Sequence, residues 1–253
     1  MTDCSAGLAQ RVAQAAARKE PLYIRGGNSK RDLVGRRCEA TELDAGANRG
    51  VVDYHPGELV VTARAGTTVA GLQALLGEQG QRLASDPPQF AGAATLGGSL
   101  ACNLSGPARP FAGSLRDAVL GVEMINGRGE LLNFGGRVMK NVAGYDVARL
   151  QAGALGTLGI ITRLSLKVLP LPQDSRTLAY ALGAAEALEM MAQRAAAPYP
   201  LTGACWFDNR LYLRLEGDAA AVAGAVSAWG GESLTTADQP WNGLRDMTLP
   251  FFT

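Results

Sequence analysis

The sequence predicts an α+β fold: two glycine-rich lobes followed by a smaller β-α-β-β-α-β module. Three observations carry this. Strand-length apolar runs alternate with amphipathic helical stretches along the whole chain. Glycine is dense, at 32 of 253 residues, and it clusters in loops that directly follow strands. Beyond Gln173 the glycine loops give way to a regular succession of strands and helices.

The elements follow in order. An Ala-rich amphipathic helix is expected over Ser5–Arg18, then a short strand over Pro21–Ile24 that enters the turn Arg25-Gly26-Gly27-Asn28-Ser29-Lys30. Strands near Val51–Tyr54 and Leu59–Ala63 flank the turn-forming His55-Pro56-Gly57-Glu58. Thr68 reads as the N-cap of a helix that places Val69, Leu72, Leu75 and Leu76 on one face, with Gly80 past its end. This first lobe closes near residue 84. The second, to residue 172, opens on the stiff Ser85-Asp86-Pro87-Pro88 and runs through the small-residue segment Ala91–Gly106. Ala118–Ile125 and Leu131–Phe134 form a hairpin about Asn126-Gly127-Arg128-Gly129, and Leu158–Leu169 is a long strand stopped by Pro170 and Pro172.

Residues 173–253 form the third part. Strands at Thr177–Leu182, Gly203–Phe207, Leu211–Leu215 and Glu232–Thr236, with helices at Ala184–Ala196 and Ala219–Trp229, give the order of a ferredoxin-like split unit. The tail from Trp241 to Thr253 exposes Leu249-Pro250-Phe251-Phe252 and reads as the start of something longer, hence as a truncated or processed chain.

Composition excludes several classes. The apolar fraction of 47% supports a sizeable core. With 24 basic and 23 acidic residues, no footprint for nucleic acid is present. The polar N-terminus is neither a signal peptide nor a span, and no apolar run nears the ~18 residues that membrane insertion needs, so a cytoplasmic location is expected. Cys4, Cys38, Cys102 and Cys205 are scattered without C-x-x-C spacing and read as buried reduced thiols. His55 is the single histidine, so a histidine-rich metal centre is excluded.

Three segments invite a phosphate or flavin reading. Residues 25–30 follow a strand, and their glycines let N–H groups turn toward an anion; an ordinary tight turn is the alternative. Ala94 to Gly106, small at Gly97, Gly98, Ser99 and Ala101, would let a short helix approach a diphosphate or ring edge, or else pack closely on a sheet. Gly153–Ile161 could wrap a ring face. No G-x-G-x-x-G and no P-loop is present, so a phosphate-bearing cofactor would be held by neither device.

Taken together, Asp86-Pro87-Pro88, Ala94-Thr95-Leu96-Gly97-Gly98, Ala101, Asn103, Ser105-Gly106-Pro107 and Phe111–Gly121 resemble the FAD-binding domain of the vanillyl-alcohol-oxidase and p-cresol-methylhydroxylase type, over roughly Pro21 to Leu171. Lys140-Asn141-Val142-Ala143-Gly144-Tyr145-Asp146 and the stretch after it are similar to the FAD-binding E-subunit family of bacterial glycolate oxidases. The resemblance implies non-covalent FAD, with residues 26–30 on the pyrophosphate. Thr95, Gly97, Gly98, Asn103 and Gly106 would lie along the diphosphate and isoalloxazine, and Gly156, Gly159 and Ile160 would close on the flavin. Arg25, Pro88, Ala101 and Ser114 fall in the same motifs. Asn28 and Ser29 stand where some relatives carry a flavin-linked histidine.

The resemblance further implies a partial cap over 173–253 and a complex with a homologous FAD-containing catalytic subunit and an iron–sulfur subunit. It would be peripheral to the inner membrane, without insertion, and act on a small 2-hydroxy acid. Two departures stand out. Catalytic relatives commonly read Gly-Ser-Glu-Gly-Thr-Leu-Gly where this chain has Ala154 and Leu155, and the cap holds no histidine. No catalytic residue is therefore assigned; Arg109, Arg116 and Lys140 are candidates for a substrate carboxylate, and Tyr145 for a hydrogen bond. Two other readings remain open: a self-sufficient D-2-hydroxy-acid dehydrogenase, and a scaffold subunit that has lost FAD.

Overall fold

In the computed structural model, residues 2–36, 39–136, 144–235 and 239–252 are described. Helix α1, Ser5–Arg18, buries Leu8, Val12 and Ala15, the i, i+4, i+7 set of one face, and Lys19 ends it in the left-handed conformation. Strand β1 (Leu22–Arg25) pairs in parallel with β2 (Thr41–Asp44). β2 was not anticipated, because in four residues only Leu43 turns inward and no period shows. Leu8, Val12, Leu43 and Ala45 of this region pack with Ile125 and Ile160.

The main sheet contains β3 (Val51–His55), β4 (Val60–Arg64), β6 (Val119–Ile125), β7 (Leu131–Gly135) and β8 (Ile160–Pro170) in the order β3-β4-β8-β6-β7, with β5 (Gln81–Leu83) beside the far end of β8. Residues on both sides of position 84 thus share one sheet, since β4 pairs antiparallel with β8 from Val60↔Lys167 to Arg64↔Arg163. β8 is central and almost wholly buried, so its backbone is satisfied only by partners from distant parts of the chain.

Helices α2 (Val69–Glu78) and α3 (Leu96–Cys102) lie on this sheet, with Leu72, Leu76, Leu96, Leu100 and Leu164 fully buried among them. The Thr68 hydroxyl accepts from the Gly71 N–H at 3.1 Å, the expected cap. In the β6–β7 hairpin, Asn126 Oδ1 accepts from the N–H groups of Arg128 and Glu130, and Gly129 takes φ +80°.

The chain clusters into two compact units, 1–105 with 114–170, and 106–113 with 171–253. In the second, β9 (Asp174–Ala181), β10 (Leu201–Phe207), β11 (Arg210–Gly217) and β12 (Glu232–Ser233) form an antiparallel sheet in the order β10-β11-β9-β12. This is the ferredoxin-like order, with the first strand between third and fourth. Helix α4 (Ala184–Ala195) contacts β10, and α5 (Ala219–Trp229) contacts β9 and β11. Of the last expected strand two residues form, and Thr236 lies outside the described residues.

The tryptophans of this unit belong to its own packing. Trp229 and Trp241 are buried, and the Nε1–H groups of Trp206 and Trp241 donate to Leu182 O (2.9 Å) and Thr177 Oγ1 (2.8 Å). An indole N–H taken out of water needs such an acceptor. Phe251 and Phe252 of the tail stay exposed.

Candidate functional site

A cleft of about 490 Å³ opens in the first unit, within the ~300–1,000 Å³ usual for cofactor sites. All three glycine-rich segments reach it. β1 delivers Arg25 to Lys30; the start of α3 delivers Thr95, Gly97, Gly98 and Ala101; the loop before β8 delivers Gly156 and Gly159.

The glycines have separate reasons to be there. A Cβ on Gly27 would lie 1.7 Å from the Ala93 carbonyl oxygen, and one on Gly26 would lie 2.6 Å from Thr95 Oγ1. A Cβ on Gly97 would fall 2.7 Å from that of Ala65, whereas one on Gly98 meets only Thr95 Oγ1 at 3.1 Å and Lys30 Nζ at 4.0 Å. Gly97 is a packing glycine; Gly98 is the bare surface of the cleft.

The backbone of the two anion-type segments is engaged differently. The N–H groups of Leu96 and Gly97 donate to Thr67 O and Ala65 O, and that of Gly98 to Thr95 Oγ1. Among the described residues, no protein acceptor takes the N–H of Gly27, Asn28, Ser29 or Lys30. Asn28 sits at φ +57°, held by the Tyr23 hydroxyl that donates to its Oδ1 at 3.0 Å. A run of unpaired amides about a left-handed residue is a concavity suited to an anion.

Charge divides the same way. Arg25 pairs with Asp44 at 2.9 Å, and Arg31 lies 3.5 Å from Glu42, both partly exposed. Lys30 is 7% exposed and, among the described residues, has no carboxylate within ion-pair reach. Its Nζ has the Ser29 hydroxyl at 3.5 Å, the Phe90 ring centre at 5.3 Å and the Cys102 thiol as its neighbours. Burial pushes the Lys30 pKa down from its ordinary value, and burial pushes the Cys102 thiol up, opposed by Lys30.

Five expected residues are placed elsewhere. Ile160 joins the packing beside α1, and its neighbour Ile161 lines the cleft, as successive strand residues face opposite sides. Asn103 caps α3 at φ +49° with its Oδ1 buried and unpartnered. Pro88 is buried outside the cleft, and Gly106 clusters with the second unit. Ser114 starts a short helix, its hydroxyl donating to Asp117 Oδ2 at 2.9 Å.

Other residues reach the cleft without having been anticipated. Tyr23 alternates with Arg25 along β1, and Cys102 shares a helical face with Gly98 and Ala101, patterns visible in the sequence. Arg31 and Arg36 have no such signal, whereas Leu155 and Thr157 belong to the Gly153–Ile161 segment already expected against a ring face. Of the carboxylate candidates, Arg109 and Arg116 are exposed outside the cleft, Tyr145 is 98% exposed, and Lys140 lies outside the described residues along with most of its motif and Cys38. Asp146 caps the following helix and pairs with Arg149 at 3.3 Å. His55 is exposed, 3.1 Å from Asp53, and does not line the cleft.

Comparison with known proteins places this architecture. The "FAD binding domain" family matches residues 4–135. The chain is 47% identical over 251 residues to "Glycolate oxidase subunit GlcE" of Escherichia coli (strain K12), covering 99% of this chain and 71% of that protein. It is 40% identical over 84 residues to "Glycolate oxidase subunit GlcD" of Bacillus subtilis (strain 168), 33% of this chain and 18% of that one. In three dimensions it matches an alkyldihydroxyacetonephosphate synthase with a TM-score of 0.73 at 20% identity, over 95% of this chain and 56% of that one, a likeness of fold. The α+β flavin fold with a ferredoxin-like module expected from the sequence is the fold found. The chain belongs to the FAD binding domain family and, within it, to the family of the glycolate oxidase subunit GlcE.

Proposed function

We propose that this chain is the FAD-holding subunit of a glycolate oxidase complex, in which a 2-hydroxy acid is oxidised to the 2-oxo acid. The observation that carries the reading is the pairing of four acceptor-free amides, at Gly27 to Lys30, with a buried ammonium that has no counter-charge among the described residues. Burying an unpaired cation is costly, and a diphosphate set against it would remove that cost. The cofactor is FAD, held without a covalent link, its diphosphate on residues 27–30 and its path running over the bare face of Gly98.

Bound FAD supplies a two-electron acceptor for the C–H hydrogen of the hydroxy acid. The chain's own residues supply position: Lys30 and the loop fix the anionic end, and Leu155, at φ +52°, lines the cleft where catalytic relatives carry a carboxylate. Among the described residues lining the cleft there is no carboxylate and no histidine to take the hydroxyl proton. Substrate oxidation is accordingly centred on a homologous GlcD-type partner, with electrons leaving through an iron–sulfur subunit; residues 173–253 form the partial cap.

The test is purification with and without those partners, measuring bound flavin and glycolate-dependent dye reduction. This chain alone retains FAD, releases it on acid precipitation, and does not bleach under anaerobic glycolate; the complex turns over. Rapid bleaching of the isolated chain would favour a self-sufficient dehydrogenase, and a colourless chain a scaffold.

A further inference from the structure

The cations around the cleft are not equivalent. Arg25 and Arg31 have carboxylates beside them, and Arg36 is exposed, so their charges are settled before any ligand arrives. Lys30 is set apart from all three. It is 93% buried, points into the cleft to within 4.0 Å of where a Gly98 Cβ would be, and among the described residues faces a hydroxyl, an aromatic ring and a thiol. Such surroundings solvate an ammonium poorly and an amine well. A diphosphate brought beside the same nitrogen reverses the preference, because an adjacent anion favours the charged form.

We propose that Lys30 is a proton-linked anchor: a hydrogen ion enters the site together with the cofactor's diphosphate and leaves with it. The inference rests on the placement of the diphosphate at residues 27–30. It makes FAD retention a function of pH. In the flavin-free site burial lowers the lysine's pKa below its ordinary 10.5, and in the filled site the diphosphate raises it again. Between the two values the free protein has lost the proton that the complex keeps, so affinity falls as the pH rises through that window. One linked proton gives at most about a tenfold loss per pH unit. The titratable group facing Lys30 is Cys102 of α3; its thiolate would repel a diphosphate and mimic the trend, so it must be removed as a control.

The loaded chain is dialysed to equilibrium at stepped pH from neutrality toward 10.5, and released FAD is read by fluorescence. The parent and Cys102→Ser should show affinity falling toward the tenfold-per-unit limit. Lys30→Arg, whose guanidinium keeps its charge throughout, should be flat. Lys30→Met should be flat and weaker by roughly 10- to 100-fold, with an unchanged circular dichroism spectrum. A flat parent, a slope that survives in Lys30→Arg, or a slope that disappears in Cys102→Ser overturns the proposal. If Lys30→Met holds FAD as tightly as the parent, the diphosphate placement falls with it. If Lys30→Met is weaker while the parent is flat, that placement stands and the proton link alone is removed.

Discussion

Two glycine pairs line the same cleft, and they are built for opposite purposes. Around Gly26-Gly27 the backbone packs closely against Ala93 and Thr95, and the following amides have no protein acceptor among the described residues. At Gly97-Gly98 the amides are all spent within the protein, and what the pair offers is a bare surface at Gly98. One pair presents polar groups and the other presents space. A cofactor with an anionic middle and a flat ring needs both, and the sequence writes them with the same two letters.

Breaking the first pair should have the largest effect. Gly27→Ala places a methyl 1.7 Å from a backbone oxygen that has no free rotor to move, so the loop must shift. Urea unfolding should show a loss of about 3 kcal/mol, the upper end for overpacking, and no FAD should remain bound after desalting. Full stability in this variant would show that the loop is not held against Ala93.

The second pair can be split into its two halves. Gly97→Val drives carbon into Ala65 and should cost about 1–3 kcal/mol, losing flavin along with stability. Gly98→Val meets only Thr95 Oγ1 and the end of Lys30, so its stability should stay within about 1 kcal/mol of the parent while most of the flavin is lost. Equal flavin content in Gly98→Val and the parent would move the cofactor off this face.

The smallest effect sharpens the comparison from the side of charge. Arg25→Gln removes a partly exposed pair with Asp44 and should change stability by less than about 1 kcal/mol. Its FAD affinity should keep the parent's pH slope, since the neutralised cation of the loop is not the one that titrates. A slope lost in Arg25→Gln would transfer the anchor role from Lys30 to its neighbour.

Local chemistry was legible from the letters alone. Helix α1 keeps its expected bounds because Leu8, Val12 and Ala15 share a face; Thr68 caps α2; the Asn126–Gly129 turn joins β6 to β7; and the β-α-β-β-α-β order follows from periodicity. All these depend on residues within a turn or two of one another. The three glycine segments could be singled out as sites of close backbone approach for the same reason; they line one cleft, and the expectation that this cleft holds FAD came from resemblance rather than from spacing.

What only the tertiary structure decided involves partners far away in sequence. β8 joins strands from both expected lobes into one sheet, which no local pattern in β4 or β8 announces. The face of β8 that meets the cleft is set by that pairing, so Ile161 lines it and Ile160 does not. Above all, the sequence lists Arg25, Lys30 and Arg31 as three similar cations. Folding brings Asp44 and Glu42 to the first and last and buries the middle one among groups that cannot neutralise it, because charge and burial are properties of an environment assembled from the whole chain.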